Sequence, residues 1–145
     1  MYGQESVNDY VSLGKTAEQA INLFPNQAIS YYFAGLSSLK QNNIKTAREY
    51  KSEASLIAGK NPAILTKVQY LDSRILFSEN KISEALKAVD ESIRLSNEKW
   101  LVPIEWKGDV LLASGNKAEA KMQFQKALSM AGVSIVLQEK LSKCQ

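Results

Sequence analysis

Three stretches of the chain repeat one spacing of small residues, and this spacing limits how the chain can fold. In each stretch the small residues lie 12 and then 7 positions apart: Gly35, Ala47 and Ala54; Ser73, Ala85 and Ser92; Gly108, Ala120 and Ala127. A short polar segment precedes the middle residue each time, at positions 41–43, 79–81 and 114–116. Small residues on both sides of a turn let two antiparallel helices approach closely. The recurrence therefore predicts a stacked array of helical hairpins.

The apolar residues between these positions indicate helices throughout. Ile64, Val68, Leu71 and Ile75 follow steps of four, three and four, which places them on one face of a helix. No competing stretch alternates apolar and polar residues between turn residues, as a strand would. We therefore predict an all-α fold with eight helices, at about residues 5–23, 27–41, 44–59, 63–79, 82–96, 101–114, 117–131 and 134–143.

The composition excludes several kinds of chemistry. The chain has 145 residues, no histidine and one cysteine, Cys144. Without histidine there is no Ser–His–Asp or Cys–His nucleophile system, and the commonest metal ligand is missing. One cysteine cannot form an intrachain disulfide, which leaves the redox compartment open. Cys144 lies next to the terminus, where we expect fraying rather than a reactive thiol. No apolar run reaches the roughly 18 residues that span a bilayer, so we expect no direct membrane insertion.

The motifs that suggest catalysis are weak. Gly14, Lys15 and Thr16 resemble the end of a phosphate-binding loop, but Asp9 stands where that loop needs another glycine. Several carboxylates have basic neighbours at helical spacing, which favours exposed ion pairs over acid–base catalysis: Glu49, Glu53, Glu84, Asp90, Glu91 and Glu119. We expect no catalytic residue, cofactor or metal.

The basic residues do not form a nucleic-acid footprint. The net charge is +3, and Lys60, Lys67 and Arg74 recur at intervals of seven residues. Surfaces that follow a phosphate backbone carry many more cations, often with interleaved aromatic residues. We therefore expect no nucleic-acid partner.

The spacing resembles the tetratricopeptide repeat (TPR) family, whose units of 34 residues carry small residues at their eighth, twentieth and twenty-seventh positions. The third stretch matches best, with Phe124 also at a family position, whereas the first has Lys51 where an aromatic residue is expected. The resemblance implies one domain, 1–145, that forms a right-handed α-solenoid. Its parts are a partial repeat at 5–25, repeats at 28–61, 66–99 and 101–132, and a capping helix at 133–145. A chain that begins within a repeat is expected to be a fragment of a longer protein.

The resemblance also implies a concave groove lined by the first helix of each unit. The family positions that face it fall on these residues: Ile29, Tyr32, Leu36, Leu39 and Lys40; Lys67, Tyr70, Arg74, Phe77 and Ser78; Val102, Glu105, Asp109, Leu112 and Ala113. From these we take eight partner-binding candidates: Tyr32, Leu36, Lys67, Tyr70, Arg74, Phe77, Glu105 and Asp109. The alternative is that Tyr32, Leu36 and Phe77 simply pack against neighbouring helices.

The function implied by the resemblance is non-enzymatic binding of a protein or peptide segment, or scaffolding of a larger assembly. A clamp for the terminal carboxylate of a heat-shock protein is excluded, because Tyr32 and Leu36 replace the Lys and Asn that such clamps use. One alternative is a regulatory or accessory segment of a larger enzyme or of a secretion or envelope machine. Another is homo-oligomerisation through the first helix, whose apolar residues are Val7, Tyr10, Val11, Leu13 and Ile21.

Overall fold

The computed structural model of the protein describes residues 7–145 and contains eight α helices, with no strand in that range. The helices are α1 (Val7–Leu23), α2 (Ala28–Lys40), α3 (Ile44–Ala58), α4 (Pro62–Ser78), α5 (Ile82–Leu95), α6 (Leu101–Ala113), α7 (Lys117–Ala131) and α8 (Ile135–Ser142). The all-α prediction is confirmed, and every described helix end lies within two residues of the predicted one. The first two residues of the predicted first helix lie outside the described range.

The helices stack in chain order as a row of antiparallel hairpins. Each helix packs against the next one along the chain, most extensively within the hairpins α2–α3, α4–α5 and α6–α7. Contacts also join α2 directly to α4, the first helices of two successive hairpins. The first helices therefore lie side by side on one face of the array, and the second helices form the outer layer.

The polar segments that separate the paired helices share one backbone conformation. Asn42, Asn80 and Gly115 occupy the same place in the three hairpins, and each has a positive φ, of 63°, 62° and 89°. Asparagine and glycine tolerate this left-handed conformation better than other residues, so they end the first helix of each hairpin. Side chains of Asn43 and Asn116 then accept a backbone N–H and cap the second helix.

Two of the repeated small residues are glycines because a neighbouring helix leaves no room for a side chain. A Cβ added to Gly35 would lie 2.7 Å from a methyl carbon of Leu71, and one added to Gly108 would lie 2.5 Å from the Phe124 ring. The repeated alanines Ala47, Ala85 and others are fully buried. The small-residue spacing therefore reports close helix contact, as predicted.

In the second hairpin, serines replace small apolar residues and their hydroxyls are used. Ser73 donates to the carbonyl of Ala85 at 2.7 Å, and Ser92 donates to the carbonyl of Thr66 at 2.6 Å. The Thr66 hydroxyl donates back to the carbonyl of Ser92, also at 2.6 Å. These buried bonds join α4 to α5, so the second hairpin is held by polar contacts at positions where the others use close apolar packing.

The C-terminal segment is more ordered than the sequence suggested. Leu137 and Cys144 are buried in one cluster with Ile104, Leu111 and Phe124. The Cys144 thiol donates to the carbonyl of Lys140 at 3.4 Å. The expectation that Cys144 frays is therefore wrong, because α8 folds its apolar side chains onto the last hairpin.

The structure also places the residues that resembled a phosphate-binding loop. Gly14 lies inside α1, where a Cβ would meet the side chain of Ser37 on α2, so this glycine serves a helix contact. Among residues 7–145, no helix is both long and apolar enough to cross a membrane.

Candidate functional site

The predicted groove residues lie on the face formed by α2, α4 and α6, and the side chains of the two tyrosines are covered. Tyr32 is 4% exposed and Tyr70 is 6% exposed, and both belong to one buried cluster with Leu71 and Ile75. Leu36 is partly buried against the same cluster. Trp100, just before α6, and Trp106, on α6, also pack against this cluster.

The first of these tryptophans forms a layered contact with residues of α4. The Trp100 ring meets the Tyr70 ring edge to face, with ring centres 5.4 Å apart. The Lys67 ammonium lies over Trp100, 4.2 Å from the ring centre, and 6.0 Å from the ring centre of Tyr32. A cation over a ring face is attracted by the negative face of the π system. Lys67 is therefore held on top of the aromatic cluster by its charge.

The second tryptophan repeats this arrangement two helical turns further along α4. Trp106 meets Phe77 edge to face at 5.2 Å, and the Arg74 guanidinium lies 4.3 Å from the Trp106 ring centre. Arg74 also donates a hydrogen bond from Nη1 to the Tyr70 hydroxyl at 2.8 Å. The Trp106 Nε1–H donates to the Ser73 hydroxyl at 2.9 Å, which fixes the orientation of the indole.

These residues form one continuous patch, the cation–aromatic surface, made of Lys67, Tyr70, Arg74, Phe77, Trp100 and Trp106. Burial lowers the pKa of Lys67. Burial raises the pKa of Tyr70 against the opposing effect of Arg74, and burial raises the pKa of Tyr32 as well. Arg74 Nε is buried and has no hydrogen-bond partner among the described residues.

Two predicted groove residues of α6, Glu105 and Asp109, are brought together by a residue of α8. The Lys140 ammonium forms an ion pair with Glu105 and lies 3.0 Å from a carboxylate oxygen of Asp109. Burial raises the pKa of Asp109, although Lys140 opposes this shift. For Lys140 burial lowers the pKa, but its hydrogen bonds to Glu105 and Asp109 outweigh that effect and raise it. The three side chains form a compact unit that we call the Lys140 triad.

The remaining predicted groove residues have more ordinary positions. Ile29, Leu39 and Val102 pack against the Tyr32–Tyr70 cluster, and Leu112 packs against the Phe124 cluster instead. The side chain of Lys40 lies 5.3 Å from the Tyr10 ring centre. Ser78 and Ala113 are exposed.

Sequence reasoning missed three residues that complete this face: Trp100, Trp106 and Lys140. Trp100 stands just before α6, outside the predicted helix, and Trp106 does not occupy a groove position of the family pattern. The available signal was that two large aromatic residues six positions apart are rarely left in solvent. Lys140 lies on α8, outside the family positions that face the groove, and its ammonium pairs with Glu105 and Asp109 of α6.

A second depression, on another side of the molecule, is lined by residues of α5, α6 and α7 and of the segment before α6. Its charges are matched internally: Lys107 binds Asp90 at 2.7 Å, and Lys126 binds Glu98 at 2.5 Å. No group of acidic, histidine or cysteine residues that could hold a metal ion is present within residues 7–145. The face formed by α2, α4 and α6 is therefore the stronger candidate site.

The first helix offers less apolar surface than the sequence suggested. Tyr10, Val11, Leu13 and Ile21 are partly buried, and the backbone of Tyr10 accepts a hydrogen bond from Ser37 of α2. The side chain of Val7 lies outside the described part of the molecule. The exposed apolar residues at this end are instead Leu23, which is 73% exposed, and Phe24.

Comparison with known proteins relates the array to one fold. A thermophilic TPR protein of Thermus thermophilus, TTC0263, superposes with a TM-score of 0.73 at 15% identity, over 95% of this chain and 74% of that chain. The structure of MamA superposes with a TM-score of 0.68 at 14% identity, over 94% of this chain and 77% of that one. YrrB, described as a TPR protein with an unusual peptide-binding site, gives a TM-score of 0.53 at 21% identity, over 95% and 74%.

No curated protein sequence matches the chain significantly. A family profile does match, over residues 32–145, and it describes the tetratricopeptide repeat-like domain. The matched range covers most of the chain, and the superposed structures agree with it on the fold, a solenoid of paired helices. The chain is therefore a member of the tetratricopeptide repeat-like family.

Proposed function

We propose that the chain is a non-enzymatic interaction module that holds a segment of another protein along the face formed by α2, α4 and α6. The observation that supports this most directly is the cation–aromatic surface. Tryptophan, tyrosine and arginine are the side chains that most often carry the binding energy of protein interfaces. This surface combines two tryptophans, a tyrosine and an arginine with Lys67 and Phe77, on α4, on α6 and just before α6.

The rigidity of this patch also favours binding. Trp106 is oriented by its hydrogen bond to Ser73, and Arg74 is held between Tyr70 and the Trp106 ring. Side chains that are already ordered lose little conformational entropy when a partner docks, so more of the contact energy appears as affinity. Tyr32 and Tyr70 act in this proposal as a buried floor, and Leu36, Lys67, Arg74 and Phe77 as its accessible part.

The kind of partner follows from the shape of the face. A row of parallel first helices forms a long, shallow surface that fits an extended or helical segment better than a small molecule. The unusual peptide-binding site ascribed to YrrB agrees with this class of ligand. We further propose that the chain acts as one domain, with units at 28–61, 66–99 and 101–132.

Self-association is a second proposal for the N-terminal end of the array. It is supported by Leu23 and Phe24, which expose large apolar side chains next to each other at the end of α1. Sedimentation equilibrium at several concentrations tests it. A monomer at all concentrations would exclude this second proposal and leave the first unaffected.

A peptide library tests the binding proposal. We expect saturable binders to be enriched when the purified protein is screened against random 12-residue peptides displayed on phage. Phe77→Ala should weaken the enriched peptides by about tenfold, since loss of an aromatic anchor commonly costs more than 1 kcal/mol. Leu56→Ala is the matched control, because Leu56 is exposed on the outer helix α3. Absence of enrichment, or equal weakening by both variants, would contradict the proposal.

A further inference from the structure

We infer that the partner segment is acidic, and that Lys140 sets this preference by neutralising the carboxylates of the same face. The inference rests on the proposed function and specifies the chemistry of its ligand. It depends on how charges are matched among the residues of α4, α6 and α8.

The cations of the cation–aromatic surface have no carboxylate partner. Lys67 and Arg74 lie over Trp100 and Trp106, and neither forms an ion pair with any residue in the described range. Every other direct contact found for them is with an aromatic ring or the Tyr70 hydroxyl, and Arg74 acts on Asp109 only as a nearby charge that lowers its pKa. The two positive charges are therefore available to a ligand.

The nearby carboxylates, in contrast, are already paired with a cation. Glu105 is 5% exposed and is paired with Lys140, which also reaches Asp109. Two carboxylates that share a lysine, one of them buried, offer little to a cationic ligand. Lys67, Arg74 and Lys140 together outnumber these two carboxylates, so the face keeps a net positive charge.

One hydrogen-bond donor of Arg74 also lacks an acceptor within the described range. Its Nε is buried and has no hydrogen-bond partner among residues 7–145, although its Nη1 donates to Tyr70. An unpaired buried donor is costly, and carboxylates bind arginine through two parallel hydrogen bonds. Nε itself is covered, but the Arg74 side chain is partly exposed, so an Asp or Glu side chain of a partner would neutralise the charge from the accessible side of the guanidinium.

A protein carboxylate fits this surface better than a nucleic acid. Binding of single strands depends on open aromatic faces on which bases stack, together with many cations along the backbone. Here Lys67 and Arg74 cover the faces of the two indoles, and the rings meet Tyr70 and Phe77 with edge contacts. The surface therefore offers cations with apolar edges, which suits acidic residues interspersed with apolar ones.

Lys140 controls this selectivity from outside the surface. Without the Lys140 ammonium, the negative charges of Glu105 and Asp109 would be less neutralised on the face that carries Arg74. Repulsion from these charges would oppose an acidic segment, whereas a basic segment would gain partners. The terminal helix α8 thus contributes specificity as well as cover for the core.

The experiment compares the charge of the peptides that each variant selects from the same random 12-residue library. Wild-type protein should enrich peptides with several Asp or Glu residues. Lys67→Gln and Arg74→Gln should each weaken the best acidic peptide by about tenfold, the change expected when a charged hydrogen bond is lost. Lys140→Gln should weaken it and shift the enriched set towards basic residues, whereas Lys140→Arg should restore the wild-type preference.

The controls separate this inference from the proposed function. Lys87→Gln and Lys121→Gln remove exposed charges from the outer helices α5 and α7 and should change neither affinity nor selection. Enrichment of neutral or basic peptides by the wild-type protein would overturn the inference and leave the binding function standing, whereas no enrichment at all would overturn both. Tighter binding of a 12-nucleotide oligodeoxythymidine than of the best peptide would also overturn the inference. Circular dichroism checks that each variant is folded. If Lys140→Gln is unfolded, the affinity of Lys67→Gln for the best acidic peptide still tests the acidic preference.

Discussion

At the residue scale, the positions that matter most for packing are glycines that lie against another helix. Gly108 lies on α6 directly against the Phe124 ring, which is fully buried between α6 and α7. A helix gains roughly 1 kcal/mol when alanine replaces glycine, whereas overpacking a tight core costs about 1–3 kcal/mol. The balance at this position depends on whether the ring can move, and its complete burial indicates that it cannot.

We therefore predict that Gly108→Ala lowers the free energy of unfolding by about 1–2 kcal/mol, because overpacking exceeds the gain in helix propensity. Urea denaturation at neutral pH measures this change. In a Phe124→Leu background the same substitution should cost less, since the shorter side chain leaves space for the new methyl group. An unchanged or increased stability of Gly108→Ala would show that the two helices are not in close contact.

A second residue-scale prediction concerns Tyr32 and alkaline pH. Burial raises the pKa of Tyr32 above its ordinary value of 10.0. Above pH 10 the unfolded chain therefore loses this proton while the folded chain retains it, so the free energy of unfolding falls as pH rises. Tyr32→Phe should make this fall shallower between about pH 9.5 and pH 11, and buried Tyr70 should keep part of it. Identical pH profiles for the two proteins would contradict the burial of Tyr32.

Individual side chains were the least predictable part of the molecule. Family positions placed Tyr32 and Tyr70 towards the groove, but they could not show that both are buried in a cluster against which Trp100 and Trp106 pack. The burial of these rings depends on how α6 packs against α4, and the spacing of residues within one helix does not predict that packing. The same limitation applies to Lys140, whose contact with Glu105 joins residues 35 positions apart in the chain.

At the scale of single helices, the sequence was most informative. Several helix ends carry signals that act locally, such as the left-handed Asn42 and Asn80 and the capping Asn43. Local signals depend only on the nearest few residues, so periodicity and turn residues were sufficient to locate the helices. The exception is the end of the chain, where Cys144 is held by packing with α7 and α8 and not by a local signal.

The predicted role of α8 as a cap leads to a prediction about stability. Leu137 is 1% exposed within the Phe124 cluster, whereas Val133, just before the helix, is 85% exposed. Leu137→Ala should lower the free energy of unfolding by about 2–4 kcal/mol, the usual cost of emptying a buried leucine site. Val133→Ala should change it by less than about 0.5 kcal/mol. Urea denaturation compares the two, and similar effects would show that α8 does not cover the core.

At the scale of the whole molecule, the fold follows from repetition. Each hairpin is too thin to bury its own apolar stripe, and stacking buries it against the next hairpin. This reasoning requires only the spacing of small residues and the helix pattern, which is why the family and the array were predictable. It also explains why the first helices share one face, since every unit contributes its first helix in the same orientation.

The candidate site was predictable only in part, because the repeat pattern does not specify contacts between units. The repeat assigned Lys67, Arg74 and Phe77 to the shared face, and each of them contacts Trp100 or Trp106. The chemistry of that face depends on contacts between units, through Trp106 above Ser73 and through Lys140 beside Asp109. Such contacts differ from one repeat protein to another, because they involve residues that the repeat pattern leaves free.

The central claim is that a partner segment docks on the face formed by α2, α4 and α6. Amide chemical shifts of the isotope-labelled protein, recorded by NMR during titration with the best library peptide, test it most directly. The account predicts saturable shifts concentrated on those three helices, above all around Arg74 and Trp106, with the amides of α3, α5 and α7 little changed. Saturable shifts concentrated on the outer helices would contradict it.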